Sequence, residues 1–119
     1  MIDVLNFETA HLYGDAFPKL LKLRYTEFVE RLKYEVPTYN GMEYDQYDTP
    51  VAVYMVWRDE TGNVRAGSRM IPTNRPYMIK DLWPHTVKYI DLPRSPDIWE
   101  ITRLFVDKTL DDDSRVSVL

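Results

Sequence analysis

The apolar residues between positions 17 and 32 recur every three or four residues, which is the period of an amphipathic helix. They are Phe17, Leu20, Leu21, Tyr25, Phe28 and Leu32. Proline is tolerated in a helix only in the first turn, so Pro18 limits where this helix can begin. Either the helix begins close to residue 15, or an earlier helical piece from Glu8 is kinked at Pro18.

A second pattern, rich in β-branched and aromatic residues, predicts three strands. Residues 51–57 and 64–71 flank a turn at 59–63 and read as an antiparallel hairpin. A third strand is predicted over residues 98–106, and one or two helical turns over residues 77–83. Residues 34–50 contain two prolines and a glycine without sustained periodicity, which predicts a long loop.

Composition narrows the class of protein. The chain has 119 residues, 45% of them hydrophobic, which fits one domain over residues 1–119. A net charge of -4 argues against a nucleic-acid partner, and the absence of cysteine excludes thiolate catalysis and cysteine-ligated metals. The two histidines, His11 and His85, form no metal-ligand pattern, so we expect no metal site. Without a signal peptide or an apolar run of membrane-spanning length, the expectation is a soluble cytoplasmic protein with no membrane insertion.

Arg24 lies four residues after Leu20 and four before Phe28, on the stripe that should face the core. A buried guanidinium needs an anionic partner. Two interpretations remain open: the side chain reaches water from the edge of the stripe, or it faces Asp45 or Asp48 across a cleft.

Residues 43–48 read EYDQYD and bring three carboxylates and two phenols together. Asp45 and Asp48 are three positions apart, so in a tight loop they can converge on one ammonium or sulfonium group. Aromatic faces such as Tyr44 and Tyr47 favour the same cationic ligand. The alternative is an ordinary solvated acidic loop, which is what charged loop residues usually form.

Charged residues also interrupt the predicted strands. Arg69 lies between apolar neighbours on the second strand, while Glu100 and Arg103 lie on the third. A structural ion pair across the sheet and a catalytic arrangement explain these residues equally well. In a regular strand Glu100 and Arg103 would point to opposite faces because their spacing is odd, so both reach one cleft only if the strand bulges or bends between them.

Taken together and in order, these segments resemble the acyl-homoserine lactone synthases, the autoinducer synthases of bacterial quorum sensing. The matching segments are LRY (23–25), FVERL (28–32), EYDQYD (43–48), RMIPT (69–73), PYMI (76–79) and WEITR (99–103). The resemblance implies an α/β (α+β) fold like that of the GNAT acetyltransferases, a twisted mixed sheet with packed helices and a cleft for an acyl thioester. It also implies acyl transfer from acyl carrier protein or acyl-CoA to S-adenosylmethionine, followed by lactone closure and release of methylthioadenosine.

The resemblance further assigns roles to individual positions. Catalytic residues are implied at Arg24, Asp45, Asp48, Arg69, Glu100 and Arg103, and S-adenosylmethionine contacts at Arg24, Phe28, Tyr34, Asp45, Asp48 and Arg103. S-adenosylmethionine is a substrate here, so no separate cofactor is expected. Glu100 is the candidate base for the substrate amine, directly or through water. A carboxylate prefers arginine, while a sulfonium prefers carboxylates and aromatic faces.

The chain also departs from the family. Tyr34 stands where the family has tryptophan, and Trp83 stands where phenylalanine before proline is usual. Family members are substantially longer, so the acyl half of the site is expected to be incomplete and the chain apparently truncated at its C-terminus. An exposed apolar sheet edge would then favour self-association. The alternative function is a non-catalytic module of the same family that binds S-adenosylmethionine or another protein. An acetyltransferase that uses coenzyme A is disfavoured, because no glycine-rich pyrophosphate loop follows the third strand.

Overall fold

A four-stranded antiparallel sheet organises the protein, as seen in a computed structural model that describes residues 1–82 and 91–109. Its strand order is β1-β4-β5-β6, and a separate two-stranded ribbon pairs β2 with β3. The strands are β1 (Ile2–Leu5), β2 (Thr38–Tyr39), β3 (Met42–Glu43), β4 (Val53–Arg58), β5 (Val64–Pro72) and β6 (Trp99–Val106). The helices are a 3-10 helix (Ala10–Tyr13), α1 (Ala16–Arg24), a π-helix (Tyr25–Arg31) and α2 (Met78–Leu82).

The predicted amphipathic helix is present, but it changes type halfway along. It begins at Ala16, close to residue 15 as predicted, and Pro18 lies in the first turn. From Tyr25 to Arg31 the backbone is π-helical, and the Leu32 amide donates to the Glu27 carbonyl five residues earlier. The prediction of a single regular helix to residue 32 was therefore wrong. Apolar residues spaced by three and four do not distinguish an α-helical turn from the wider π-helical turn over so short a segment.

The hairpin β4-β5 and the strand β6 confirm the three predicted strands. Two features were not anticipated. β1 pairs with β4 at the edge of the sheet, with Ile2 opposite Trp57 and Leu5 opposite Tyr54. The predicted long loop contains the β2-β3 ribbon, which turns at Asn40 and Gly41, both with positive φ. A prediction of loop throughout residues 34–50 was therefore wrong, since two-residue strands leave no periodicity to detect.

Gly67 allows α1 to pack directly on the sheet. A side chain at this position would overlap the Cδ1 atom of Leu20 and approach the Met55 carbonyl oxygen to 3.2 Å. Leu20 thereby joins the core on this covered face of the sheet. The buried core residues include Leu5, Ala16, Leu20, Phe28, Tyr54, Val56, Ile71, Tyr77 and Phe105.

The opposite face of the sheet, which we call the outer face, carries apolar residues that remain accessible. Ile101 and Leu104 are 60% and 61% exposed. They line a shallow groove of about 220 Å³ together with residues of the other three strands, including Ile2, Met55, Trp57 and Met70. The apolar side chains of β6 therefore make the outer face an accessible hydrophobic surface.

Several predictions lie outside the described residues. Of the predicted helical turns at 77–83, α2 accounts for Met78–Leu82, whereas Trp83 is not described. The same holds for His85 and for residues 110–119. His11 is exposed on the 3-10 helix, consistent with a surface residue. Within the described part of the chain, no group of side chains has the arrangement of a metal site, and no helix combines the length and apolar character needed to cross a membrane.

Candidate functional site

Six charged side chains from four parts of the chain meet beneath the covered face of the sheet, and we call them the ion-pair cluster. Their formal charges cancel, with three arginines facing three carboxylates. The members are Arg24, Glu43, Asp45, Asp48, Arg69 and Arg103. Such burial is tolerated only because every cation has a close anion.

Arg24 projects from the end of α1 into this cluster and is 1% exposed. Its Nη1 and Nη2 atoms donate to the two Asp48 oxygens at 2.8 and 2.9 Å, and its Nε donates to Glu43 at 3.0 Å. The interpretation that Arg24 faces a carboxylate is therefore confirmed, and the surface interpretation is wrong. The fork of the guanidinium matches the carboxylate, which makes this a strong pairing.

Asp48 is held in its charged form by this geometry. Burial by itself would raise the pKa of its carboxyl group, but the hydrogen bonds and charge of Arg24, together with the charge of Arg69, outweigh it and hold the pKa at about 2. The Tyr54 hydroxyl also donates to Asp48 at 2.7 Å. Burial and the neighbouring Asp48 carboxylate raise the pKa of Tyr54, so this phenol remains a donor.

Arg69 reaches the cluster from the middle of β5 and is fully buried. Its Nη1 donates to Asp45 at 2.5 Å and lies 3.3 Å from Asp48, while its Nε donates to the Thr102 hydroxyl at 2.9 Å. Asp45 and Asp48 thus converge, as their spacing predicts, but on the guanidinium of Arg69. The solvated-loop alternative is wrong for these two residues.

Glu100 and Arg103 face the same cleft because β6 bulges between Thr102 and Phe105. Arg69 lies opposite Thr102, and Gly67 lies opposite Phe105. Two residues of β6, Arg103 and Leu104, are therefore opposite the single residue Ser68 of β5. Arg103 adopts φ +54°, a left-handed conformation that is costly for a residue with a side chain. The bulge required by the odd spacing is therefore present.

The cleft itself has a volume of about 920 Å³ and lies between β6, α2 and the segment after the π-helix. The predicted site residues that line it are Tyr34, Asp45, Glu100 and Arg103. The other predicted site residues do not line the cleft and lie deeper in the protein: Arg24, Phe28, Asp48 and Arg69. The lining also includes Glu35, Tyr47, Met78, Ile79 and Leu82.

Aromatic rings lie close to two of the arginines. The Arg103 guanidinium carbon lies 5.4 Å from the centre of the Phe28 ring, and that of Arg69 lies 5.8 Å from the Tyr47 ring. Phe28 in turn packs at 5.5 Å from Tyr34, the residue that replaces the expected tryptophan. Tyr34 is 47% exposed and can therefore contact a ligand directly.

Glu100 has a defined orientation at the edge of the cleft. Its two carboxylate oxygens accept the backbone amides of Met78 and Ile79 at 3.0 and 2.8 Å, at the start of α2. Each oxygen retains a second lone pair. The carboxylate is therefore fixed in place and still able to accept a proton from a ligand.

One member of the cluster, Glu43, was not among the predicted site residues. It is fully buried, and its Oε1 accepts from Nε of both Arg24 and Arg103. The signal available in the sequence was its position in the EYDQYD segment, two residues before Asp45. Pattern alone could not distinguish it from the exposed Tyr44 beside it.

Comparison with known proteins identifies relatives of this arrangement. Residues 8–118 match the sequence model of the autoinducer synthase family. The acyl-homoserine-lactone synthase of Vibrio anguillarum is 39% identical over 92 residues, which cover 77% of this chain and 48% of that protein. The isovaleryl-homoserine lactone synthase of Bradyrhizobium diazoefficiens is 35% identical over 107 residues, covering 89% and 48%.

Solved structures give the same picture. A CoA-dependent acyl-homoserine lactone synthase, solved with S-adenosylmethionine and isopentyl-CoA, superposes with a TM-score of 0.84 at 33% identity. The match covers 91% of this chain and 51% of that one. The GNAT-like fold predicted from the resemblance is thereby confirmed, and the chain spans about half the length of the relatives it matches.

Proposed function

The chain belongs to the autoinducer synthase family, and from this premise we propose that it forms the S-adenosylmethionine-binding half of an acyl-homoserine lactone synthase. The observation that carries the proposal is that Arg103 and Glu100 both line the cleft. A guanidinium and an oriented carboxylate are the groups needed to hold a substrate carboxylate and to accept a proton from its amine.

Arg103 is the proposed carboxylate-binding group. In the described part of the chain, all guanidinium nitrogens of Arg24 and Arg69 have partners, whereas Nη1 of Arg103 has none. Arg103 also lines the cleft. A free donor next to an open volume supports its use in binding the carboxylate of S-adenosylmethionine.

Glu100 is the proposed base, directly or through water. It takes a proton from the amine of S-adenosylmethionine, and the amine nitrogen bonds to the thioester carbon. The bond between that carbon and the thioester sulfur breaks, and the thiolate of the carrier or of coenzyme A leaves as the thiol with the proton that Glu100 had taken. The substrate carboxylate oxygen then bonds to the carbon next to sulfur, and the carbon-sulfur bond breaks. The products are an acyl-homoserine lactone, the free thiol and methylthioadenosine.

The sulfonium needs an anionic or aromatic neighbour. Asp48 does not line the cleft, so Asp45 is the proposed carboxylate that contacts the sulfonium directly. Tyr34 and Tyr47 are the proposed aromatic neighbours of the sulfonium. Asp45 already accepts from Arg69 and Arg103. Glu35, which lines the cleft and is exposed, is an additional candidate.

The test measures methylthioadenosine release from S-adenosylmethionine in the presence of acyl carrier protein or acyl-CoA donors. We expect weak or no turnover by residues 1–119 alone, because the chain spans about half of its relatives. Robust turnover by these residues would contradict that expectation. If a folded protein as long as the relatives released no methylthioadenosine, that result would contradict the synthase assignment.

A second candidate is a non-catalytic module that binds S-adenosylmethionine or another protein. The exposed outer face of the sheet favours it, because Ile101 and Leu104 offer an apolar contact surface. This candidate predicts that the protein binds S-adenosylmethionine but releases no methylthioadenosine with any acyl donor. The same result is predicted for a protein as long as the relatives. Release in that form would exclude it.

A further inference from the structure

Glu43 makes contacts that the proposed chemistry does not use. Its Oε1 accepts hydrogen bonds from Nε of Arg24 at 3.0 Å and of Arg103 at 2.7 Å. Its Oε2 is buried and has no hydrogen-bond partner among the described residues. A buried carboxylate oxygen without a partner lowers stability, so this arrangement is not the most stable one for these positions.

Arg103 requires an anchor to stay where it is. Its left-handed backbone conformation at the bulge is unfavourable for any residue other than glycine. In a regular strand the side chain would point to the outer face, away from the cleft. The contacts that hold it on the covered face come from Glu43, from Asp45 at 3.1 Å and from the Phe28 ring.

The geometry of the guanidinium decides what these anchors leave free. Nε and Nη2 present their hydrogens along one edge of the planar group, and Glu43 and Asp45 occupy that edge. Nη1 lies on the other side. Both oxygens of Asp45 also accept from Arg69. Of the two bonds that anchor Arg103, the one to Glu43 is the shorter, at 2.7 Å against 3.1 Å to Asp45.

We propose that Glu43 is a positioning residue, whose carboxylate holds Arg103 at the bulge of β6 so that Nη1 remains available to the substrate carboxylate in the cleft. The identity of that ligand rests on the function proposed above. The anchoring of Arg103 does not, and it can be measured in the free protein.

The experiment is a double-substitution cycle with Glu43→Gln, Arg103→Gln and the combination of both. Calorimetry measures the affinity for S-adenosylmethionine, and arginine Nε-H resonances in NMR spectra report solvent exchange at Arg103. We expect Glu43→Gln to weaken binding about tenfold and to speed exchange at Arg103 Nε. In the Arg103→Gln background, Glu43→Gln should have no further effect on affinity. Glu27→Gln, which removes a carboxylate from the separate pair with Arg31, is the matched control and should change neither quantity.

The outcomes separate the two proposals. If the unchanged protein binds S-adenosylmethionine and Glu43→Gln binds it with the same affinity, the role of Glu43 is overturned and the proposed function stands. An equal loss in both backgrounds also overturns it, because Glu43 would then act independently of Arg103. If the unchanged protein does not bind S-adenosylmethionine, the proposed function fails, and the exchange measurement still decides: unaltered exchange overturns the anchoring and faster exchange supports it.

If Glu43→Gln does not fold, the double variant decides instead. The double variant removes one charge of each sign, so its cluster stays neutral. Its affinity then supports the proposal if it equals that of Arg103→Gln and overturns it if it is lower.

Discussion

The two faces of the four-stranded sheet differ in the side chains that they bury and expose, because the covered face adds buried charges to its apolar core. The covered face hides charged side chains, with Arg69 fully buried in the ion-pair cluster. The outer face leaves apolar side chains such as Leu104 accessible. Charge is tolerated inside because each group has a partner, whereas the exposed apolar surface has none in the described residues. The comparison indicates that charge is buried here where every charged group has a partner, and that among the described residues the outer face offers an accessible apolar surface.

The largest effect is expected from removing a charge on the covered face. Replacing Arg69 by Met leaves Asp45 and Asp48 with one cation fewer and should lower the free energy of unfolding by about 3–5 kcal/mol. Urea denaturation measures the loss. Arg31→Met, which breaks an exposed pair on the π-helix, is the control and should have little effect. Equal losses in both variants would show that the cluster is not special.

Acid should destabilise the covered face next. The pKa of Asp48 is lowered from 3.8 to about 2, because the bonds from Arg24 outweigh its burial. A depressed carboxyl pKa stabilises the folded state above the unfolded value, and this contribution is lost as the pH falls through the folded value. Denaturation between pH 5 and about 2 should show a loss of about 2 kcal/mol that is absent in Asp48→Asn. A pH dependence retained in Asp48→Asn would assign the effect to other carboxylates.

Packing of α1 on the covered face gives a comparable or smaller effect. Gly67→Ala forces Leu20 to move and should cost about 1–3 kcal/mol in unfolding free energy, measured by urea denaturation. Ser68→Ala changes the neighbouring position and serves as the control. Unchanged stability in Gly67→Ala would mean that α1 packs less closely than described.

The smallest effect on stability, and the clearest on association, is expected on the outer face. Leu104→Gln should change unfolding by no more than about 0.5 kcal/mol, because the side chain is 61% exposed. We expect it to reduce concentration-dependent association in sedimentation experiments. Leu12→Gln changes a leucine that is 69% exposed on the 3-10 helix; it is the control and should leave association unchanged. Association that both variants reduce alike would not involve the outer face.

The sequence predicted the parts of the fold that repeat over many residues. The apolar spacing indicated the helix from Ala16, and the β-branched runs indicated β4, β5 and β6. β1 was missed because it is short and pairs with β4, which is distant in sequence. The β2-β3 ribbon was missed because strands of two residues leave no periodicity to detect. The π-helical turns from Tyr25 were missed because Tyr25, Phe28 and Leu32 keep the spacings of three and four that are typical of an α-helix.

The site was predicted by residue type, and its geometry was not. Arg24, Arg69 and Arg103 stood out because they interrupt apolar patterns, and the odd spacing of Glu100 and Arg103 required a bulge that is present. Apart from a carboxylate partner for Arg24, the pairing of arginines with carboxylates could not be read from one chain, because each bond joins segments at least 19 positions apart. Glu43 was part of the acidic segment but was given no role in the site for the same reason.

The most direct test of the proposed ligand site is calorimetric titration with S-adenosylmethionine and, in parallel, methylthioadenosine, which lacks the carboxylate. If Nη1 of Arg103 binds that carboxylate, Arg103→Gln should weaken S-adenosylmethionine binding at least about tenfold and leave methylthioadenosine binding nearly unchanged. Unaltered affinity for S-adenosylmethionine in Arg103→Gln, or an equal loss for both compounds, would contradict the account.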